Sequence, residues 1–181
     1  MLLVVDNGSV YTQSLVDCIK RLDIEFECRI FTEFESINLD NYHSIVLSGR
    51  RKNNPLMNAI NSRLVKHAMI EHKPLLGICY GAEILALTLG GTIKKMMSSR
   101  QGLYEIDITK DNPLCGGKLH VFESHSYMIS KLSPLFIQLG TSTDCNFEMF
   151  QYNNTNIFGT QFHPEMSKDG KSLLERFSFI K

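Results

Sequence analysis

The chain has 181 residues and a formal net charge of zero, 19 basic against 19 acidic side chains. That suits one α/β domain able to bury roughly two-thirds of its unfolded surface, and it gives no field to draw in nucleic acid or an anionic membrane. The apolar runs are strand-sized, and five cysteines (Cys18, Cys28, Cys79, Cys115, Cys145) form no C-x-x-C pair, which argues against a membrane-spanning helix, a disulfide framework and a zinc site.

In chain order, residues 2–5 read as a strand entered without a charged leader or cleavage site, so a soluble, cytoplasmic protein is expected. Leu15, Cys18, Ile19 and Leu22 mark a helix face, residues 26–31 alternate like a strand, and residues 44–47 form another. Residues 55–71 read as a helix with Met57, Ile60, Leu64 and Ala68 apolar. Residues 73–78 are a short apolar strand opening at Pro74, followed by a helix through Ile84, Leu85, Leu87 and Thr88 that Gly90-Gly91 stops. From Gly102 the pattern changes to short strands at 104–108, 119–122, 135–139, 147–152 and 157–162, and a helix over 172–179 closes the chain. This rhythm predicts an α/β fold: a doubly wound, mostly parallel central sheet with helices on both faces, flavodoxin-like, with added short strands in the second half. Neither repeats nor a linker interrupt it, so residues 1–181 are expected to form a single domain.

Gly77-Ile78-Cys79-Tyr80-Gly81 puts a cysteine at a strand-to-helix elbow. There the side chain is pushed out of the sheet, flanking glycines remove clashing Cβ groups, and the helix N-terminus favours a thiolate. Two readings of Cys79 stand on these residues: a small buried hydrophobe or a nucleophile. A thiol attacking an amide needs a base, and the base needs a carboxylate to hold its tautomer. The predicted strand at 157–162 runs into His163-Pro164-Glu165, where the proline prevents helix and lets both side chains leave one strand end together.

GICYG with the later GTQFHPE resembles the class I glutamine amidotransferases. The resemblance extends to Val4-Val5-Asp6-Asn7-Gly8-Ser9 with Tyr11-Thr12-Gln13, similar to the glutaminases of GMP synthetases, and to the strand and loop at Val46-Leu47-Ser48-Gly49. It runs from residue 2 to about residue 165. It implies a Cys79, His163, Glu165 triad: the Cys79 thiolate attacks the glutamine amide, His163 protonates the departing ammonia and then activates water, and Glu165 orients His163. Backbone N–H groups of Tyr80 and of Gly49-Arg50 would hold the oxyanion. Glu83 on the helix, with Ser126 and Tyr127, would read the substrate's α-amino and α-carboxylate groups. For His125 a turn between strands and a binding role are equally open.

Two departures from the family pattern stand out. Arg50-Arg51-Lys52 follows Ser48-Gly49 where a second glycine is usual, and Glu83 stands where the family has Gln. The first suits a loop set by a docking partner, a phosphate contact or simply a solvated turn; the second puts substrate affinity in doubt, because an ionised carboxylate accepts but cannot donate. Neither a phosphate loop nor a synthetase segment is evident. The resemblance therefore implies no cofactor or metal in this chain, with ATP and Mg on a separate synthetase subunit that takes the ammonia, for XMP to GMP conversion. Alternatives are the glutaminase subunit of anthranilate or aminodeoxychorismate synthase, a stand-alone γ-glutamyl hydrolase, and a non-catalytic regulatory relative. The other four cysteines are read as packing.

Overall fold

The computed structural model describes residues 1–34 and 37–180. In β1 (Leu2–Asn7) Leu3 and Val5 enter one apolar cluster while Leu2 and Val4 enter another, so the strand is covered on both faces. β3 (Ser44–Arg50) and β4 (Leu75–Ile78) divide in the same way, Ile45, Leu47 and Leu75 against Val46, Leu76 and Ile78. Continuous apolar runs are what a two-sided parallel strand requires. With β2 (Phe26–Ile30) and β9 (Ile157–Thr160) these strands form a parallel half-sheet in the order β2-β1-β3-β4-β9. That is the doubly wound, flavodoxin-like order.

Among the described residues four α-helices cover it. α2 (Pro55–Ile70) and α3 (Tyr80–Thr88) supply Met57, Leu64, Val65, Ala82 and Leu85 to one cluster. α1 (Thr12–Lys20) and α4 (Lys168–Ser178) supply Leu15, Ile19, Leu173, Leu174 and Phe177 to the other. Asn54 caps α2 by accepting from the Leu56 and Met57 N–H groups, with Pro55 in the first turn, and Ser167 caps α4 by accepting from Gly170 N–H. Leu22 lies past the end of α1 rather than on its face.

The second half departs from the expectation of short strands. β5 (Thr92–Ile108) and β6 (Lys118–Lys131) make a long antiparallel hairpin, joined to the parallel half through β7 (Phe136–Thr141) and β8 (Met149–Tyr152). Much of its length is solvated on both faces, so the period-2 signal is weak outside residues 104–108 and 119–122. A bulge breaks it further: Lys95 pairs with Tyr127 and Arg100 with His125, leaving residues 96–99 opposite Ser126 alone. His125 therefore sits inside β6, which corrects its reading as a turn residue. α4 likewise starts at Lys168, a turn earlier than the apolar residues announce.

Candidate active site

Cys79 joins β4 to α3 with φ 50° and ψ −102°. A non-glycine residue there costs about 1–3 kcal/mol, a strain that concentrates at functional turns. Its N–H donates to Thr160 O at 2.7 Å and its carbonyl accepts from Glu83 N–H at 3.0 Å, so the elbow is fixed to β9 and to the first turn of α3. The flanking glycines are sterically required. A Cβ on Gly77 would stand 2.5 Å from Gly81 C, and one on Gly81 would stand 2.3 Å from Leu47 O, so α3 starts this close to the sheet only without side chains. The Tyr80 N–H belongs to the first turn of the helix, where amides lack intrahelical acceptors.

β9 ends three residues before His163, whose N–H donates to Phe122 O at 2.8 Å in an isolated bridge to β6. Pro164 and Glu165 form a single 3-10 turn that brings the carboxylate back, so His163 Nδ1 donates to Glu165 Oε1 at 2.8 Å. Both residues are only 2 % exposed. Burial lowers the proton affinity of His163, but the Cys79 sulfur and the Glu165 carboxylate outweigh it and push the pKa up to about 10. His163 and Glu165 are thus hydrogen-bonded to each other, with the Cys79 sulfur close enough to raise the proton affinity of the imidazole. Tyr11 packs its ring 4.6 Å from the His163 ring, and a Cβ on Gly49 would lie 3.0 Å from His163 Cε1. Gly49 accordingly flanks the imidazole. Asn7 N–H donates to Ser48 Oγ at 2.9 Å and Asn7 Nδ2 to Ser48 O at 3.1 Å, which fixes the end of β3 against β1.

Cys79 opens onto a cavity of about 600 Å³ that Arg50, Tyr80, Glu83, Ser126 and Tyr127 also line. Six of the nine sequence-predicted site residues therefore share this cavity, and Gly49, His163 and Glu165 lie buried outside its lining. Arg50 turns inward instead of standing in solvent. Its guanidinium lies 3.7 Å from Glu83 Oε2 and 4.2 Å from the centre of the Tyr80 ring, while Nη1 donates to Asn53 Oδ1 at 2.6 Å and Asn58 Oδ1 at 3.4 Å. The two departures from the family pattern are thus ion-paired with each other. Burial raises the pKa of Glu83, and Arg50 is the largest opposing influence. The Arg50 backbone forms an antiparallel bridge with Gly8. Among the other cysteines, burial pushes Cys115 to about 11 and Cys145 to about 12, unlike a thiol meant to react.

Sequence reasoning missed a buried charged cluster at the cavity, built on Arg100 of β5 with Glu123 and His125 of β6, of which Arg100 and His125 belong to the lining. Arg100 Nη1 donates to Glu123 Oε1 at 3.2 Å, Glu148 Oε1 at 2.9 Å and Ser142 Oγ at 2.8 Å, and His125 Nε2 lies 3.0 Å from Glu123 Oε2. His125 Nδ1 contacts Tyr127 O at 2.8 Å, so the cluster positions the strand carrying Ser126 and Tyr127. Glu123, His125 and Glu148 place donor atoms within 4.8 Å of one another, a spacing that suits a cation, but the guanidinium already bonds both carboxylates. The signal available in sequence was Glu123 and His125 two apart, hence on one face of a strand. Burial, and next the charge of Glu123, raise Glu148 to about 7 from an ordinary 4.5. A raised carboxyl pKa means that the fold binds a proton the unfolded chain has released, so this stabilisation is full below pH ~4.5 and is lost as pH rises to ~7. Glu148→Gln is expected to flatten that fall in stability in urea titrations across the interval; an unchanged slope would refute the assignment.

The family model for glutamine amidotransferase class-I matches residues 3–180. The chain is 30 % identical to a GMP synthase (glutamine-hydrolysing) subunit of Pyrococcus furiosus, over 99 % of this chain and 98 % of that one. It is 31 % identical to the protein of the same name from Thermococcus kodakarensis, over 98 % and 97 %. A solved structure from Thermoplasma acidophilum, described as a candidate GMP synthase subunit, superposes with a TM-score of 0.86 at 25 % identity, over 97 % of this chain and 90 % of that one. A buried Cys-His-Glu chain on a doubly wound sheet and a family match over nearly the whole length agree: this protein belongs to the class I glutamine amidotransferase family.

Proposed function

We propose that the chain is a single glutaminase domain that hydrolyses glutamine to glutamate and ammonia and passes the ammonia to a separate ATP-dependent synthetase subunit, for conversion of XMP to GMP. The observation that carries the chemistry is the His163–Glu165 pair at the Cys79 sulfur. The acceptor is argued from the GMP synthase names of relatives matched end to end.

In this reading the sulfur of Cys79 adds to the amide carbon, and the oxyanion is met by the Tyr80 N–H and by the backbone at Gly49-Arg50. The C–N bond breaks as His163 gives its proton to the leaving nitrogen, so ammonia departs and a γ-glutamyl thioester remains. His163, now neutral, takes a proton from water as it attacks the thioester; glutamate leaves and the sulfur is restored. Glu165 keeps Nδ1 protonated and the ring aimed throughout. Glu83, Ser126 and Tyr127 face the amino-acid head. ATP and Mg belong to the partner. The five free cysteines suit the reducing conditions of a cytoplasm. Among the described residues no helix is long and apolar enough to cross a membrane.

The test is GMP formation from XMP and ATP with the synthetase subunit, driven by glutamine or by ammonium. Wild type supports both, whereas Cys79→Ser is expected to lose the glutamine-driven reaction and keep the ammonium-driven one. Glutamine hydrolysis with no transfer to XMP would redirect the reading to another acceptor or to a stand-alone hydrolase.

A further inference from the structure

Arg50 and Glu83 face each other across the wall of the Cys79 cavity, and their chemistry matches the two ends of an amino acid. Glu83 lies on α3 four residues beyond Cys79, a spacing that puts both on one side of the helix start, and both line the same cavity. The Glu83 side chain is 6 % exposed and that of Arg50 21 %, so neither is a surface charge free in water. Tyr80 lies under the guanidinium, and Tyr80 Oη donates to Asn58 Oδ1 at 2.8 Å, the atom that also accepts from Arg50 Nη1. Asn53 and Asn58 aim the arginine into the cavity from the loop and α2. At 3.7 Å the ion pair is longer than a close charge-assisted contact, so both partners keep bonding capacity for a ligand.

We propose that Arg50 and Glu83 together form the subsite for the substrate's zwitterionic head, the Arg50 guanidinium binding the α-carboxylate and the Glu83 carboxylate the α-ammonium, so that glutamine enters by inserting its head into their ion pair. This rests on the glutaminase reading above. It explains why both departures occur in one chain: a lone carboxylate in place of Gln repels the α-carboxylate, and the added guanidinium supplies the donor that the Gln amide would have given. The fork geometry of arginine suits a carboxylate in two-point contact, and Tyr80 and the asparagines hold it ready.

The test compares two alkylating agents on the whole chain, with the Cys79 peptide followed by mass spectrometry. One is 6-diazo-5-oxo-norleucine, which carries the amino-acid head; the other is iodoacetamide, which lacks it. Arg50→Ala is expected to slow the diazo-ketone reaction about 10- to 100-fold, the size of one charged contact, and to leave iodoacetamide labelling within about threefold of wild type. Arg50→Lys should recover part of the loss. In glutamine hydrolysis the same variants should raise KM with little change in kcat. Equal slowing of both reagents would assign Arg50 to the fold of the elbow and overturn the proposal, as would an unchanged diazo-ketone rate. If wild type reacts with iodoacetamide but not with the diazo ketone, the glutaminase reading itself fails.

Discussion

Cys79→Ser is expected to lower glutamine hydrolysis by roughly 10⁴- to 10⁶-fold while the fold is kept, the range seen when a nucleophile that works as part of a unit is removed. Serine fits the space of the sulfur, and the elbow is held by backbone contacts to Thr160 and Glu83 that do not involve the side chain. What is lost is the nucleophile. The raised proton affinity of His163 depends in part on contact with the Cys79 sulfur, and a serine hydroxyl gives up its proton far less readily. Cys79→Ser should therefore also lower the His163 pKa, measurable by NMR titration of the imidazole. Activity within tenfold of wild type would rule out Cys79 as the nucleophile.

Glu165→Gln is expected to reduce kcat roughly 10²- to 10⁴-fold with KM for glutamine nearly constant. The carboxylate acts only through the ring, by its 2.8 Å contact with His163 Nδ1, and it lines no part of the substrate cavity. Glutamine is close in shape but uncharged, and the His163 pKa should fall from about 10 as this support is withdrawn. The sign follows directly: a lower pKa leaves less imidazolium to protonate the departing ammonia, so the loss is smallest at low pH and grows as pH rises. A uniform loss at every pH would mean that Glu165 holds only the backbone turn.

The Cys79 elbow and the His163–Glu165 contact were legible in the sequence because each was announced by local chemistry. Gly77 and Gly81 are needed by α3 approaching β3 and β4, and Pro164 forces the turn that returns Glu165 to His163. The parallel half of the sheet was legible because β1, β3, β4 and β9 are apolar runs buried on both faces, while the half-exposed edge strand β2 alternates. The hairpin was not, since a solvated strand with four residues bulged at 96–99 shows no clean period. The first turn of α4 was missed because Lys168, Asp169 and Lys171 carry no apolar signal, although Ser167 was a readable cap. The Arg50–Glu83 pair was hidden for another reason: the residues lie 33 positions apart in sequence, and only the fold makes them neighbours. A basic triplet read alone resembles a solvated loop, and Arg50 leaves that role because Tyr80 and the Asn53 and Asn58 side chains give it partners.

The most direct test is to mix the protein, with the proposed synthetase subunit, and glutamine itself, quench in acid within the first turnovers, and locate any covalent adduct by peptide mass spectrometry. The account predicts a γ-glutamyl thioester on the peptide carrying Cys79, accumulating further in His163→Asn when the acyl group is supplied by an activated γ-glutamyl ester. Glutamate release with no adduct on Cys79, or with an adduct on another residue, would contradict it.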